Sequence, residues 1–133
     1  MATTIPEKFL DLFAPDCKAV ASLATVMPDG SPQVTPVWFD YTNGRIRVNT
    51  ARGRVKDKNM TQNARVALAI IDPVNPYRHI QVRGRVAAIK EEGAVAHIDS
   101  LAKKYIGQDK YPWLGNDTRV TYEIEPLSFS TMG

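Results

Sequence analysis

The chain has 133 residues, room for one domain, since two cores of half that length would each be marginal. A composition of 44% hydrophobic and 23% charged residues, with 8 Gly and 9 Pro, excludes disorder, collagen-like repeats and coiled coil. Lys and Arg number 17 against 14 Asp and Glu, and the net charge of +3 is too small to define a partner without knowing where the bases fall.

In chain order, Thr4, Pro6 and Glu7 predict a capping box opening a short helix, with Phe9, Leu10 and Phe13 as its apolar stripe before Pro15. Residues 18–27, rich in Ala, Val and Leu, predict a strand. Pro28-Asp29-Gly30-Ser31 predicts a turn and residues 33–41 the returning strand. Thr42-Asn43-Gly44 predicts a second tight turn into a strand over residues 45–49.

Residues 51–62 show no alternation and predict a loop entering a short helix. Residues 66–71 predict an apolar strand, closed by Asp72-Pro73 and Pro-Asn-Pro punctuation. Over residues 79–89 the alternation is clear, with Ile80, Val82, Gly84, Val86 and Ala88 on one face and Gln81, Arg83 and Arg85 on the other. Residues 91–106 predict the longest helix, with Ala94, Ile98, Leu101 and Tyr105 as its buried stripe. A polar and aromatic loop over 107–117 precedes two strands, 119–125 and 127–131, on either side of Pro126. Six or seven strands joined mostly by tight turns imply an antiparallel sheet, and in so small a chain closure into a barrel is the expected way to remove edges. The expected class is therefore mainly β (α+β), one barrel domain over residues 1–133 flanked by short helices.

Several chemistries are excluded or disfavoured. No apolar run approaches the roughly 20 residues of a membrane span, and the N-terminal residues lack the pattern of a secretory signal. Cys17, the only cysteine, leaves no internal disulfide and no thiolate zinc cluster, so a reducing cytoplasm is the expected compartment. His79 and His97 fall in different elements without metal-ligand spacing, and there is no GxSxG elbow, P-loop or GxGxxG. If the protein is an enzyme, a bound cofactor supplies the chemistry.

The informative segment runs from Asn49 to Met60. Arg45, Arg47, Arg52, Arg54, Lys56 and Lys58 fall within fourteen residues that overlap it, and the later ones fall at a helix start, where the dipole is already positive. A sequence that bears this cost implies an anion, held by backbone N–H groups with Arg54 and Lys56. The alternative is a solvated basic helix. Nucleic acid is disfavoured because the cluster lacks the interleaved aromatics of a stacking platform.

The ordered series Ser22-Leu23-Ala24-Thr25, Asp29 to Trp38, Thr50, Arg54-Val55-Lys56-Asp57-Lys58-Asn59-Met60, Asn63 to Leu68, Asp72-Pro73 to Tyr77, and Val82-Arg83-Gly84 resembles the pyridoxamine 5′-phosphate oxidase-like split barrels over about residues 5–131. Within them it is most similar to the small reductases that use the deazaflavin coenzyme F420. The resemblance implies an antiparallel split barrel working as a homodimer, with sites at the subunit interface and hydride transfer from reduced F420 to an activated double bond of a small substrate. It also implies site residues. Arg54 and Lys56 would hold the phosphate, with Thr50 and Asn59 as neutral support. Lys58 and Arg52 either reach the anionic tail or stay in solvent. Gln33, Pro36, Val37 and Trp38 would lie beside the ring, with a plain core aromatic as the other reading of Trp38. Tyr77 and Arg78 would reach a site at the dimer interface. Tyr111 and Trp113 either line the substrate pocket or cover the core.

Departures from the family pattern bear on the cofactor. Oxidases of vitamin B6 grip the FMN phosphate with an Arg and a Lys on the second strand, where this chain has Gln33-Val34-Thr35-Pro36-Val37-Trp38. Their C-terminal arginine motif is replaced by Glu125-Pro126-Leu127-Ser128-Phe129. FMN is accordingly the alternative cofactor, in an oxidoreductase of the same fold. A non-catalytic binder of F420, flavin or haem is the reading from a different class.

Overall fold

A computed structural model describes residues 4–133. A 3-10 helix, Glu7–Phe13, is followed by β1 (Ala21–Val26), β2 (Pro32–Val37), β3 (Phe39–Thr42), β4 (Arg45–Ala51), α1 (Val55–Gln62), β5 (Arg65–Ile71), β6 (His79–Lys90), α2 (Ala94–Ile106) and β7 (Arg119–Met132). The seven strands form one antiparallel sheet in the order β2-β1-β5-β6-β7-β4-β3.

That order fixes the architecture. β2 and β3 lie at opposite edges of the sheet, yet only Trp38 separates them in sequence. One residue spans under about 4 Å of extended chain, so the sheet has to curl until its two edges meet. Backbone pairing does not continue across the junction, and the result is a split barrel. The strand expected over residues 33–41 is thus two strands in different pairings: Val37 lies opposite Ala21, and Phe39 opposite Val48. Pro32 and Pro36 suit β2, because proline lacks the N–H that an interior strand would need.

The C-terminal expectation reverses this error. Residues 119–132 form one strand that runs through Pro126. The ladder to β6 accommodates the proline by a register shift between Arg83 and Gly84. A Cβ on Gly84 would stand 2.7 Å from Ile124 Cγ2 and 3.0 Å from the Glu125 carbonyl oxygen, so this crossing needs the bare glycine. At the other tight turn, Asn43 (φ 54°) and Gly44 (φ 77°) take the two positive φ values of a two-residue hairpin, as the sequence implies.

The core fills the curled sheet with Leu23, Phe39, Ile46, Val48, Leu68, Ile70, Ile80, Val82, Tyr122 and Ile124. The 3-10 helix closes one end with Phe9, Leu12 and Phe13, whereas Leu10 points outward. No capping box forms: Pro6 precedes this helix without a side-chain cap.

α2 closes the split. It buries the expected Ala94, Ile98, Leu101 and Tyr105, together with His97 and Ala102. Tyr105 Oη donates to the Ala19 carbonyl at 2.6 Å and accepts from the Phe39 N–H at 3.3 Å, satisfying backbone groups that the broken ladder leaves unpaired. Burial, foremost, pushes the Tyr105 phenol up to about 12, so it stays a donor at any working pH. Its ring stacks on Trp38 at 5.4 Å and 5°. Replacing Tyr105→Phe should therefore cost about 1–3 kcal/mol of stability, because a buried carbonyl and N–H lose their partner. Urea unfolding at unchanged m-value measures this, and wild-type stability would show that water repairs the junction.

Candidate functional site

The junction that splits the barrel also opens its main cleft, of about 430 Å³. Pro36, Val37 and Trp38 come from the junction, Asn49 and Thr50 from the end of β4, and Arg54 and Lys56 from the start of α1. Ile98 and Leu101 are presented by α2, Tyr111 and Trp113 by the loop after it, and Arg119 by the start of β7. The lining combines cations with aromatic rings, and the two meet where the Arg119 guanidinium lies 5.2 Å from the Tyr111 ring. Trp38, Tyr111 and Trp113 form an edge-to-face series, with ring centres 6.1 Å and 5.6 Å apart.

α1 is anchored from beneath. Asp57 accepts from Tyr122 Oη at 2.6 Å, from the Gly53 N–H at 2.9 Å and from Arg52 at 3.0 Å. Burial works against this carboxylate, but those three donors outweigh it and hold Asp57 below its ordinary value of 3.8. Asp57 thus offsets positive charge under the helix start, while Arg54 and Lys56 stay on the cleft side.

Lys56 donates to Thr35 Oγ1 at 3.2 Å across the cleft wall. Burial, and then the cations of Arg54 and Arg119, push its ammonium below the usual lysine value. Arg54 is exposed, its nearest counter-charge being Asp117 at 3.9 Å. Between these cations, Thr50 is 2% exposed, and among the described residues its Oγ1 is the one buried side-chain oxygen or nitrogen without a hydrogen-bond partner. A buried orphan hydroxyl costs about 1–3 kcal/mol unless a ligand meets it. Three cations around an unpaired donor fit a phosphate or carboxylate group.

Of the residues singled out in the sequence, Pro36, Val37, Trp38, Thr50, Arg54, Lys56, Tyr111 and Trp113 converge here. The others lie elsewhere in the chain. Gln33 accepts from Thr25 Oγ1 at 2.9 Å, a tie between β2 and β1, and Asn59 donates to Thr25 Oγ1 at 3.0 Å and to Met27 Sδ, which holds α1 to β1 and the turn after it. Lys58 is exposed, while Arg52 is paired with Asp57 and Glu91. Tyr77 is 80% exposed. Arg78 is engaged by Asp11 at 2.6 Å and Asp72 at 3.0 Å, lashing the 3-10 helix to the β5–β6 loop. Asn49 and Arg119 line the cleft although the motifs did not single them out. No local signal marks Arg119 as a site residue, because its place depends on β4 pairing with β7.

Among the described residues no group of three His, Cys, Asp or Glu side chains could hold a metal ion. No helix there is long and apolar enough to cross a membrane. Thr50→Val keeps the volume and removes the orphan hydroxyl, so the free protein should gain about 1 kcal/mol while losing affinity for whatever anion binds. Thermal unfolding with and without ligand separates the two effects, and a loss of stability in the free protein would show that the hydroxyl is already satisfied.

Residues 6–131 match the sequence pattern of the family described as pyridoxamine 5′-phosphate oxidase. Comparison with curated proteins gave no sequence match. Among solved structures, an F420 reductase is 35% identical with a TM-score of 0.84, the alignment covering 95% of this chain and 98% of that one. Protein Rv2991 of Mycobacterium tuberculosis (21% identity, TM-score 0.74, 97% of this chain and 85% of that one) shares the fold. So does General Stress Protein 26 of Bacillus anthracis (19%, TM-score 0.69, 95% and 92%). With nearly its whole length matched in sequence and a split barrel in structure, the chain belongs to the pyridoxamine 5′-phosphate oxidase family.

Proposed function

We propose that the protein is an F420-dependent reductase, and the observation that carries this reading is a single cleft lined by both cations and aromatic rings. Coenzyme F420 joins a flat ring to a phosphate and a polyglutamate tail, and the two kinds of side chain match those two parts. The 35% identity to an F420 reductase over almost the full length of both chains supports the same choice. Against vitamin B6 oxidation stands the second strand, Gln33 to Trp38, which carries no Arg or Lys.

In this reading Lys56, Arg54 and the Thr50 hydroxyl hold the phosphate, and Pro36, Val37 and Trp38 form the wall beside the ring. Lys58, exposed and without a protein partner among the described residues, is free to meet the tail, whereas Arg52 is tied down by its two carboxylates. The bound cofactor, when reduced, supplies a hydride to an activated double bond. Among the described residues the cleft lining contains no carboxylate, thiol or imidazole. The protein's part is accordingly to orient two planar molecules, exclude water with Tyr111 and Trp113, and supply positive field. Orientation alone can contribute about 7–11 kcal/mol to such a step.

Tryptophan fluorescence titrated in parallel with F420 and FMN tests the reading directly. F420 should bind selectively, with Lys56→Ala weakening it by about 1.5–3 kcal/mol for the lost charge-assisted bond. Added salt should weaken it further as exposed charges are screened. Selective FMN binding would replace this reading with that of a flavin oxidoreductase.

We further propose that two copies associate through the outer face of β2, β1, β5 and β6. There Ser22, Ala24, Ala67 and Ala69 form a shallow depression of about 200 Å³ beside Val34, which is 64% exposed. Small side chains permit close backbone approach, and the exposed valine supplies apolar area for it to cover. Tyr77 is then the side chain free to reach the partner, since Arg78 is engaged within its own chain. Light scattering should give a dimer for the wild type and a monomer for Ala69→Glu, and a monomeric wild type would remove this proposal.

A further inference from the structure

Arg119 is the most deeply buried cation of the cleft, its side chain 5% exposed. Its Nε–H donates to Asn49 Oδ1 at 2.9 Å, and NH1 reaches Asp117 Oδ2 at 3.4 Å. The Tyr111 ring lies 5.2 Å from the guanidinium carbon. A guanidinium has five N–H donors, and among the described residues the NH2 edge meets no protein acceptor. Arg119 NH2 is not among the buried unpaired atoms, so this edge opens onto the cleft, where a ligand oxygen can reach it. Asn49, paired with Thr121 on the neighbouring strand, presents its amide on the same face of the sheet as Arg119.

A chain of side chains fixes how Arg119 points. Arg47 grips Asp40 through two bonds, 2.7 and 2.8 Å. Asp40 Oδ2 lies 3.1 Å from His97 Nε2, and His97 Nδ1 lies 3.1 Å from Asn49 Nδ2 and from Thr121 Oγ1. Asn49 Nδ2 also donates to the Ala94 carbonyl at 2.8 Å. Because the Ala94 oxygen only accepts and Arg119 only donates, the Asn49 amide has a single consistent orientation. An Nδ1 that accepts from Asn49 goes with a proton on Nε2, the ring nitrogen facing Asp40. Each link dictates the next, from an ion pair at the rim to the floor of the cleft.

We propose that Arg119 is an anion-binding residue of the cleft and that Asp40, His97 and Asn49 are positioning residues that hold its open edge toward a phosphate or carboxylate oxygen. The inference rests on the cleft being the site of an anion-bearing ligand, as read above, but not on that ligand being F420. Two sources fit this chemistry: the phosphate of the cofactor and an acidic group on the substrate.

Calorimetry on the full-length protein with four probes distinguishes them: F420, its phosphate-free deazaflavin alcohol, inorganic phosphate and cinnamate. Arg119→Gln should weaken F420 and inorganic phosphate about tenfold or more while leaving the alcohol nearly unchanged, which assigns the cofactor's phosphate. Selective loss of cinnamate with F420 intact assigns the substrate's acid instead. Arg119→Lys keeps the charge but loses the planar fork, and an intermediate loss is expected even if the glutamine variant folds poorly. His97→Phe should show the same selectivity for anionic probes in smaller degree, because a merely structural role would weaken all four alike. Unchanged affinities in the Arg119 variants, a uniform loss across the probes, or a wild type that binds none of them would overturn the proposal. Wild-type selectivity in His97→Phe would overturn the positioning role. If the wild type ignores F420 and the alcohol yet binds phosphate or cinnamate through Arg119, the F420 reading fails and this one stands.

Discussion

The covalent junction at Trp38 governs this molecule. Two strands that the chain joins through one residue sit at opposite edges of a seven-stranded sheet, so the sheet curls and its edges meet without pairing. An unpaired seam exposes backbone donors and acceptors, which is unfavourable inside a protein. α2 resolves this with Tyr105, whose hydroxyl serves the Ala19 carbonyl and the Phe39 N–H while its ring stacks under Trp38. Lys104, one residue earlier, adds a bond to the Phe39 carbonyl at 2.9 Å. The seam that needs repair also supplies the opening. A fully closed barrel of this size would be filled by its own side chains.

Charge is arranged around that opening in two layers. Beneath α1, Asp57 is held ionised by Tyr122, Gly53 and Arg52, and this tolerates cations at a helix end where the dipole opposes them. On the cleft side, Lys56, Arg54 and Arg119 crowd one another, with burial and mutual repulsion lowering the affinity of Lys56 for its proton. Among the described residues only one carboxylate, Asp117, approaches two of them, at 3.9 Å from Arg54 and 3.4 Å from Arg119. Together with the unpaired Thr50 hydroxyl, this is local energy held at the expense of stability and recovered when an anion enters.

The elements with strong local chemistry were legible in the sequence. The Asp29-Gly30 and Asn43-Gly44 turns, the alternation along β6, the apolar stripe of α2 and the loop-to-helix character of residues 51–62 all follow from short-range sterics and periodicity. Strand boundaries at prolines were not, and the two misreadings run in opposite directions. Residues 33–41 look continuous, yet break at Trp38 because Val37 and Phe39 pair with different strands. Residues 119–131 look interrupted at Pro126, yet continue because β6 shifts register beside Gly84. A proline's effect on a strand depends on what its missing N–H would have met, and that is a property of the partner.

The sequence by itself determined the family, the strand-rich class and the cluster of bases at the start of α1, since each is written in contiguous residues or in an ordered motif series. It also named Thr50, Arg54, Lys56 and the Pro36-Val37-Trp38 wall, which the fold gathers into one cleft. Only the tertiary structure decided that Asn59 ties α1 to β1, that Gln33 ties β2 to β1, that Arg52 is occupied by carboxylates, and that Arg119 joins the cleft. Arg119 stands 65 residues beyond Arg54 in the chain, and the pairing of β4 with β7 brings it there. Contacts of that kind arise from strand order, and strand order here follows from burying the inner face of a sheet whose edges one tryptophan joins.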